Sequence, residues 1–156
     1  MNRKRIVLGS LLVVVLGIGI GITVWVWPVF KAAAPQGFAA YNDWFSFRAV
    51  SPEGVVYRVR AEANEPKAEL TFWREALKKR MVDAGYTFIT ESDIRASDKA
   101  GYLLELAAPQ GPMDFGYLVA VFVDGNKLVV AEAAGEVTKV RDRRKDLVTA
   151  MTAIRM

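Results

Sequence analysis

Residues 115–134 read FGYLVAVFVDGNKLVVAEAA, two apolar runs joined by Asp124-Gly125-Asn126. A tight turn there needs positive φ, which Gly and Asn tolerate, so the stretch predicts a β-hairpin with strands Phe115–Asp124 and Lys127–Ala134. Working backwards, Gly101–Ala108 and Tyr86–Ile94 are two further strand candidates. The connections between all four are short. Short connections join antiparallel neighbours, whereas parallel strands need a long crossover, so the four form an antiparallel meander.

Two more extended segments lie upstream. Trp44–Val50 leads into the turn Ser51-Pro52-Glu53-Gly54, and Val55–Arg60 follows with Arg58 and Arg60 on one face and Tyr57 and Val59 on the other, as in a half-buried strand. Between them and the meander, Leu70, Trp73, Leu77, Met81 and Ala84 recur at helical spacing. They predict a helix over Glu69–Ala84 that Gly85 stops, with Arg74, Lys78 and Lys79 facing away from the core. Val140, Leu147, Met151 and Ile154 predict a last helix over Thr138–Ile154. The order β-β-α-β-β-β-β-α is that of an α+β fold, an antiparallel β-sheet of about six strands covered by two helices.

The chain before Trp44 is of another kind. Ile6 to Trp27 is a run of 22 residues without a charge, which as a helix reaches about 33 Å, enough to cross a hydrocarbon core of about 30 Å. Arg3, Lys4 and Arg5 precede it, placing the N-terminus in the cytoplasm, and Trp25, Trp27 and Phe30 suit the far headgroup region. The expected organisation is a cytoplasmic basic stub at 1–5, a transmembrane helix at 6–28 acting as an uncleaved signal anchor, a tether at 29–43, and an extracytoplasmic domain at 44–156. The competing reading is a cleaved secretory signal, since Ala32-Ala33-Ala34 resembles a cleavage site; the length of the apolar run and Pro35 just after the cut speak against it. Gly17 and Gly21 have the Gly-x-x-x-Gly spacing that lets membrane helices approach closely, a candidate for weak self-association as a homodimer.

Charge follows the same division. Four of the 21 basic residues lie in or beside the apolar run, which leaves 17 basic against 17 acidic residues elsewhere. A balanced domain lacks the cationic footprint that nucleic-acid binding needs. The chain has no cysteine and no histidine. That removes disulfides, thiolate nucleophiles, zinc–sulfur sites and the side chain that titrates near neutral pH.

The element order, together with Phe45-Ser46-Phe47, Ser51-Pro52-Glu53-Gly54, Gly85-Tyr86, Gly101-Tyr102-Leu103-Leu104-Glu105, Tyr117-Leu118-Val119-Ala120-Val121 and Asp124-Gly125-Asn126-Lys127-Leu128-Val129-Val130, resembles the family that joins the photosystem II protein PsbP with the nuclear-transport factor Mog1. The resemblance covers about residues 44–155. It implies an accessory role in binding or assembly of larger protein complexes rather than catalysis. It carries over no metal role, because there is no histidine or ligand motif to match.

Candidate chemistry is sparse. Glu91 and Asp93 share one face of their strand and could hold a cation or a proton, although no third ligand or base is spaced with them; the plainer account is a solvated strand face. No serine has a nucleophile setting, and no glycine-rich loop has the lysine and helix that phosphate binding needs. Two features are candidate contacts for a partner or for lipid. One is the cationic run Lys139, Arg141, Arg143 and Arg144 (with Lys145), which opposes the dipole of the helix it opens. The other is the proline-stiffened loop around Met113 and Phe115. The expected function is non-enzymatic and without cofactor: a binding or assembly module of a membrane or periplasmic complex. It is held in a bacterial inner membrane with its domain on the periplasmic side and meets a protein partner in or at the membrane, with no nucleic acid. The alternative is a small-molecule or lipid-binding domain in which Trp44, Phe72 or Trp73 lines a pocket.

Overall fold

The computed structural model describes residues 12–13, 24–25, 30–42, 46–110 and 113–156. The hairpin forms as the sequence predicts. β8 (Met113–Asp124) and β9 (Lys127–Glu136) pair antiparallel with Asp124 opposite Lys127. Gly125, the first of the two turn residues, takes φ 60°, the backbone a two-residue hairpin demands. β6 (Thr87–Ala96) and β7 (Lys99–Gln110) continue the meander beside β8.

On the other side of the hairpin lie β5 (Val56–Ala63), β4 (Ser46–Val50) and β3 (Ala39–Asn42). The result is one seven-stranded antiparallel sheet, in the order β3-β4-β5-β9-β8-β7-β6. The seventh strand, β3, comes from the stretch read as a tether. Its Ala and Gly content hides a strand signal, and it is held by pairing with β4 rather than by propensity. The residues before it are docked too: Phe30, Ala32 and Ala34 pack on the core, and Lys31 bridges Arg155.

Apolar residues on both sheet faces meet helices. Leu103, Leu118, Ala120, Phe122, Val129 and Ala131 point to one side, where Val140 of α2 (Val137–Asp142) and Leu147 and Met151 of α3 (Arg144–Thr152) close the larger core. Tyr102, Leu104, Leu106, Val119, Val121 and Val130 point to the other, under Leu70, Trp73, Leu77 and Met81 of α1 (Leu70–Asp83). The α1 stripe is the predicted one, except that Ala84 is exposed. Its C-terminus is the predicted glycine stop, with Gly85 at φ 91° and Tyr86 N–H donating to the Met81 carbonyl at 3.0 Å. The single last helix expected over Thr138–Ile154 is two helices, interrupted at Arg143, where ψ is 1°. The guanidinium of Arg143 is drawn to Glu53, 90 residues away, at 2.8 Å, a pairing invisible to helical periodicity.

The anchor expected at 6–28 falls almost wholly outside the described residues, as do Gly17 and Gly21. Within it, Leu12–Val13 (β1) and Val24–Trp25 (β2) pair as antiparallel two-residue strands. Among the described residues no helix is long and apolar enough to cross a membrane.

Asn64, 3% exposed, ties the end of β5 to α1. Its side chain donates to the carbonyls of Ala68 and Gly125, each at 3.0 Å, and accepts from Ala68 N–H at 3.2 Å and from Trp73 Nε1–H at 2.7 Å. Tyr57 is the opposite case, a fully buried phenol whose hydroxyl has no partner among the described residues. Burial alone pushes its pKa up. Asn64→Ala is therefore expected to lower stability by about 2 kcal/mol through the partners it strands, while Tyr57→Phe is expected to be neutral or stabilising by up to about 1 kcal/mol. Chemical denaturation of both variants checks the contrast, and a large loss in Tyr57→Phe would contradict it.

Candidate binding surface

The cationic run at α2 and α3 is divided by the fold. Arg143 is half-buried between Glu53, at 2.8 Å, and Asp146, at 3.8 Å. Arg144 binds Glu105 of β7, with its Nε at 2.9 Å. These two arginines fasten the interrupted helix to the Ser51–Gly54 turn and to the sheet. Lys139 and Arg141 stay exposed, Arg141 at 3.9 Å from Asp142. The second candidate is also divided: Phe115 is half-buried on β8 opposite Glu136, and the side chain of Met113 lies outside the described residues.

Glu91 and Asp93 do share a face, and the helix reaches over to them. Arg74 Nη2 and Lys78 Nζ each lie 3.0 Å from Glu91, Tyr102 donates to it at 2.5 Å, and Arg74 Nη1 is 3.5 Å from Asp93. Arg74 also sits 4.8 Å above the Tyr102 ring, a cation–π contact. Arg74 and Lys78 thus turn down onto the sheet instead of facing away, because the apolar stripe sets them at the flank of α1. The Tyr102, Arg74 and Lys78 contacts hold Glu91 down at about 2. Among the described residues no three His, Cys, Asp or Glu side chains cluster as a metal site.

What periodicity could not show is which part of the α1 face that helix leaves uncovered. α1 lies over β6, β7 and β8 and does not extend across the rest of the sheet. Register aligns Tyr41, Arg48, Arg58, Glu132 and Val119 in one row across β3, β4, β5, β9 and β8. Val119 is under α1, and the row runs out from it into the open. The adjoining row carries Val50, Val56, Ala134 and Tyr117. Tyr41 is 46% and Val56 39% exposed, while the arginines between them are half-buried by their neighbours.

The polar groups of this half-face are ordered. Arg60 grips Glu132 with two bonds, at 3.1 and 3.2 Å, and pairs with Glu62; Tyr117 donates to Glu132 at 2.6 Å and stacks obliquely on Tyr86, ring centres 5.7 Å apart. Burial raises the Glu132 carboxyl, but the bonds from Arg60 and Tyr117 outweigh it and the net shift is downward. Burial and then Glu132 push the Tyr117 phenol up. Arg48 Nε donates to Ser46 Oγ at 3.2 Å. Arg58 differs: its Nε is buried with no hydrogen-bond partner among the described residues. Arginine and tyrosine on a partly apolar surface are the residues enriched where proteins bind one another.

Two clefts lie away from this surface. One of about 300 Å³ lies between Asn64, Lys67, Leu70 and Val123, and one of about 180 Å³ between Ala33, Pro35, Thr149 and Ala153; both are open to solvent. Trp73 fills core and donates to Asn64, while Phe72 leans edge-on against it at 5.3 Å.

Comparison with known proteins finds the same fold. No protein-family model and no curated protein matches the sequence. The solved structures do. The cyanobacterial PsbP of Synechocystis sp. PCC 6803 superposes with a TM-score of 0.59 at 12% identity, over 81% of this chain and 86% of that one. A Pseudomonas aeruginosa protein of unknown function gives 0.56 at 11%, over 90% and 94%. A Bacteroides thetaiotaomicron protein gives 0.52 at 10%, over 81% of this chain but 44% of that one. The chain has the PsbP/Mog1-like fold that its sequence suggested; at this identity the likeness is one of fold alone.

Glu53 is also held at about 2, chiefly by Arg143 and then by Ser51. A carboxyl whose folded pKa lies below its ordinary value contributes stability above that value and loses it as pH falls through the folded pKa. Stability should therefore drop as pH falls from about 4.5 to about 2, and Glu91→Gln should flatten part of that slope. Thermal unfolding across this range tests it, and an unchanged slope in Glu91→Gln would contradict the role of the Glu91 contacts.

Proposed function

We propose that this protein is a membrane-tethered, non-enzymatic accessory that binds or helps assemble a protein complex outside the cytoplasm, using the uncovered half of its sheet as the contact surface. The observation that carries this is the row Tyr41-Arg48-Arg58-Glu132, flanked by Val50, Val56 and Tyr117 and overlaid by no helix among the described residues. A half-buried guanidinium with an unsatisfied Nε gains most from a partner that brings an acceptor and excludes water. The PsbP-like fold is in keeping with an accessory role, and the shallow clefts give a small ligand little enclosure.

The anchor reading draws on the uncharged run and its basic flank, and also on the docked segment. Phe30, Ala32 and Ala34 pack on the core, and Pro35 is buried. Cleavage after Ala34 would strip these contacts and the Lys31–Arg155 bridge from the domain, which favours retention of the run as a signal anchor in a bacterial inner membrane. A tether raises the effective concentration of the domain near membrane partners, so a modest interface suffices.

The test is site-specific photocrosslinking in intact membranes with the photoreactive residue at position 41, compared with position 79 on the outer side of α1. Discrete adducts from 41, absent from 79 and reduced about thirtyfold by Arg58→Gln, the effect of losing one hot-spot side chain of about 2 kcal/mol, are expected. Adducts from 79 alone, or none from 41, would contradict the surface. The mass of the membrane-extracted chain tests the anchor, since a chain starting at Pro35 would end that part of the reading.

A further inference from the structure

The residues that follow the apolar run are fixed to the domain. Lys31 N–H donates to the Arg155 carbonyl at 2.8 Å, and Arg155 N–H donates back to Lys31 at 3.0 Å. On either side of that bridge Phe30 and Ala32 pack on the core beside α3. The same end of the molecule is tied to the sheet by Ser97, whose hydroxyl donates to the Ile154 carbonyl at 3.2 Å. Ser97 sits in the β6–β7 turn with φ 55°, a left-handed conformation that a non-glycine residue adopts only when its surroundings hold it there. Lys99 and Asp124, at 3.0 Å, join that turn to the β8–β9 turn next to it.

Chain length then sets a limit. The uncharged run ends at Trp27 and the docked segment begins at Phe30, three residues later. Three residues span at most about 10 Å. A domain hung on so short a connection has one end close to wherever Trp27 sits. That end carries the exposed cations Lys31 and Arg155, of the sign that anionic headgroups attract. The opposite end, with the Ser51–Gly54 turn and the C-terminus of α1, lies one strand length away, and a strand of 12 residues such as β8 is about 40 Å long.

Resting on the anchor reading above, we infer that the domain is mounted end-on and rigidly against the outer-leaflet headgroups, with Lys31 and Arg155 at the contact. The strands rise away from the bilayer, and the open half-face looks sideways along the membrane. In this arrangement the stretch read as a tether is a fixed stalk, and the Arg58 row is presented to the flank of a neighbouring membrane protein. Residues 30–38 perform this by packing along α3 before the chain turns into β3, leaving no loose segment there to average the orientation.

The chain has no cysteine, so single cysteines can be placed without other changes. Ala153→Cys, Asp98→Cys and Asp83→Cys, all at exposed positions, are labelled with a fluorophore in the full chain. The chain is reconstituted into phosphatidylethanolamine–phosphatidylglycerol vesicles containing a headgroup-attached quencher, and retention after alkaline carbonate extraction is scored on the same samples. Strong quenching at 153 and 98, with that at 83 at least about fivefold weaker, is expected from the strand length. Equal quenching at the three positions in a retained chain overturns the rigid mount and leaves the anchor standing. Stronger quenching at 83 overturns the orientation. Release by carbonate overturns the anchor reading and this inference with it.

Discussion

Seven strands at about 4.8 Å spacing make a sheet about 29 Å wide, while α1, 14 residues long, is about 10 Å across. That mismatch governs the molecule. On the side of α2 and α3, two short helices and the segment from Phe30 to Phe38 share the cover, and the face is dry from Ala49 to Ile94. On the side of α1 there is one helix among the described residues. It is placed over β6, β7 and β8 by its apolar stripe and fixed there by the Glu91 contacts and the Asn64 clamp, so β3, β4 and β5 cannot be covered as well. Arg58, Arg60 and Glu132 stand where a second helix would otherwise need leucines.

The polar organisation of that half-face fits a surface that is used. Glu132 is satisfied by Arg60 and Tyr117, which stiffens the region without a partner. Arg58, between the Glu132 and Arg48 strands, has no such satisfaction for its Nε. An unmatched donor in an otherwise ordered surface is costly in isolation and is relieved by an acceptor from outside. The charge pairs on the opposite side work differently. Arg143 with Glu53 and Arg144 with Glu105 consume the cations that looked most available in sequence, leaving Lys139 and Arg141 as solvated charges of little energetic weight.

Much of the architecture was legible in the residues because it is local. Gly85 and Gly125 announce positive φ, the Leu70–Met81 stripe announces one helical face, and the Phe115–Ala134 run announces a hairpin. The parts that were not legible depend on partners distant in sequence. β3 has four residues of unremarkable propensity and exists because β4 is there to pair with. The break at Arg143 follows a carboxylate 90 residues earlier, and Asn64 carries no motif because its role comes from Gly125 and Trp73 arriving beside it. The alternation of Arg58 and Arg60 with Tyr57 and Val59 correctly gave a half-buried strand. It could not say that the arginine side is bare, since that depends on how far a helix elsewhere in the chain extends.

On the reading proposed above, a partner at the membrane covers the half-sheet from β3 to β5 and leaves α1 bare. Hydrogen exchange, read residue by residue on the full chain in its native membranes and again after purification in detergent, addresses this most directly. Slower exchange in the membranes is expected across Ala39–Asn42, the edge strand whose amides a partner would shield, with no change across Leu70–Asp83. Slowing confined to Leu70–Asp83, or identical exchange at Ala39–Asn42 in the two states, would contradict it.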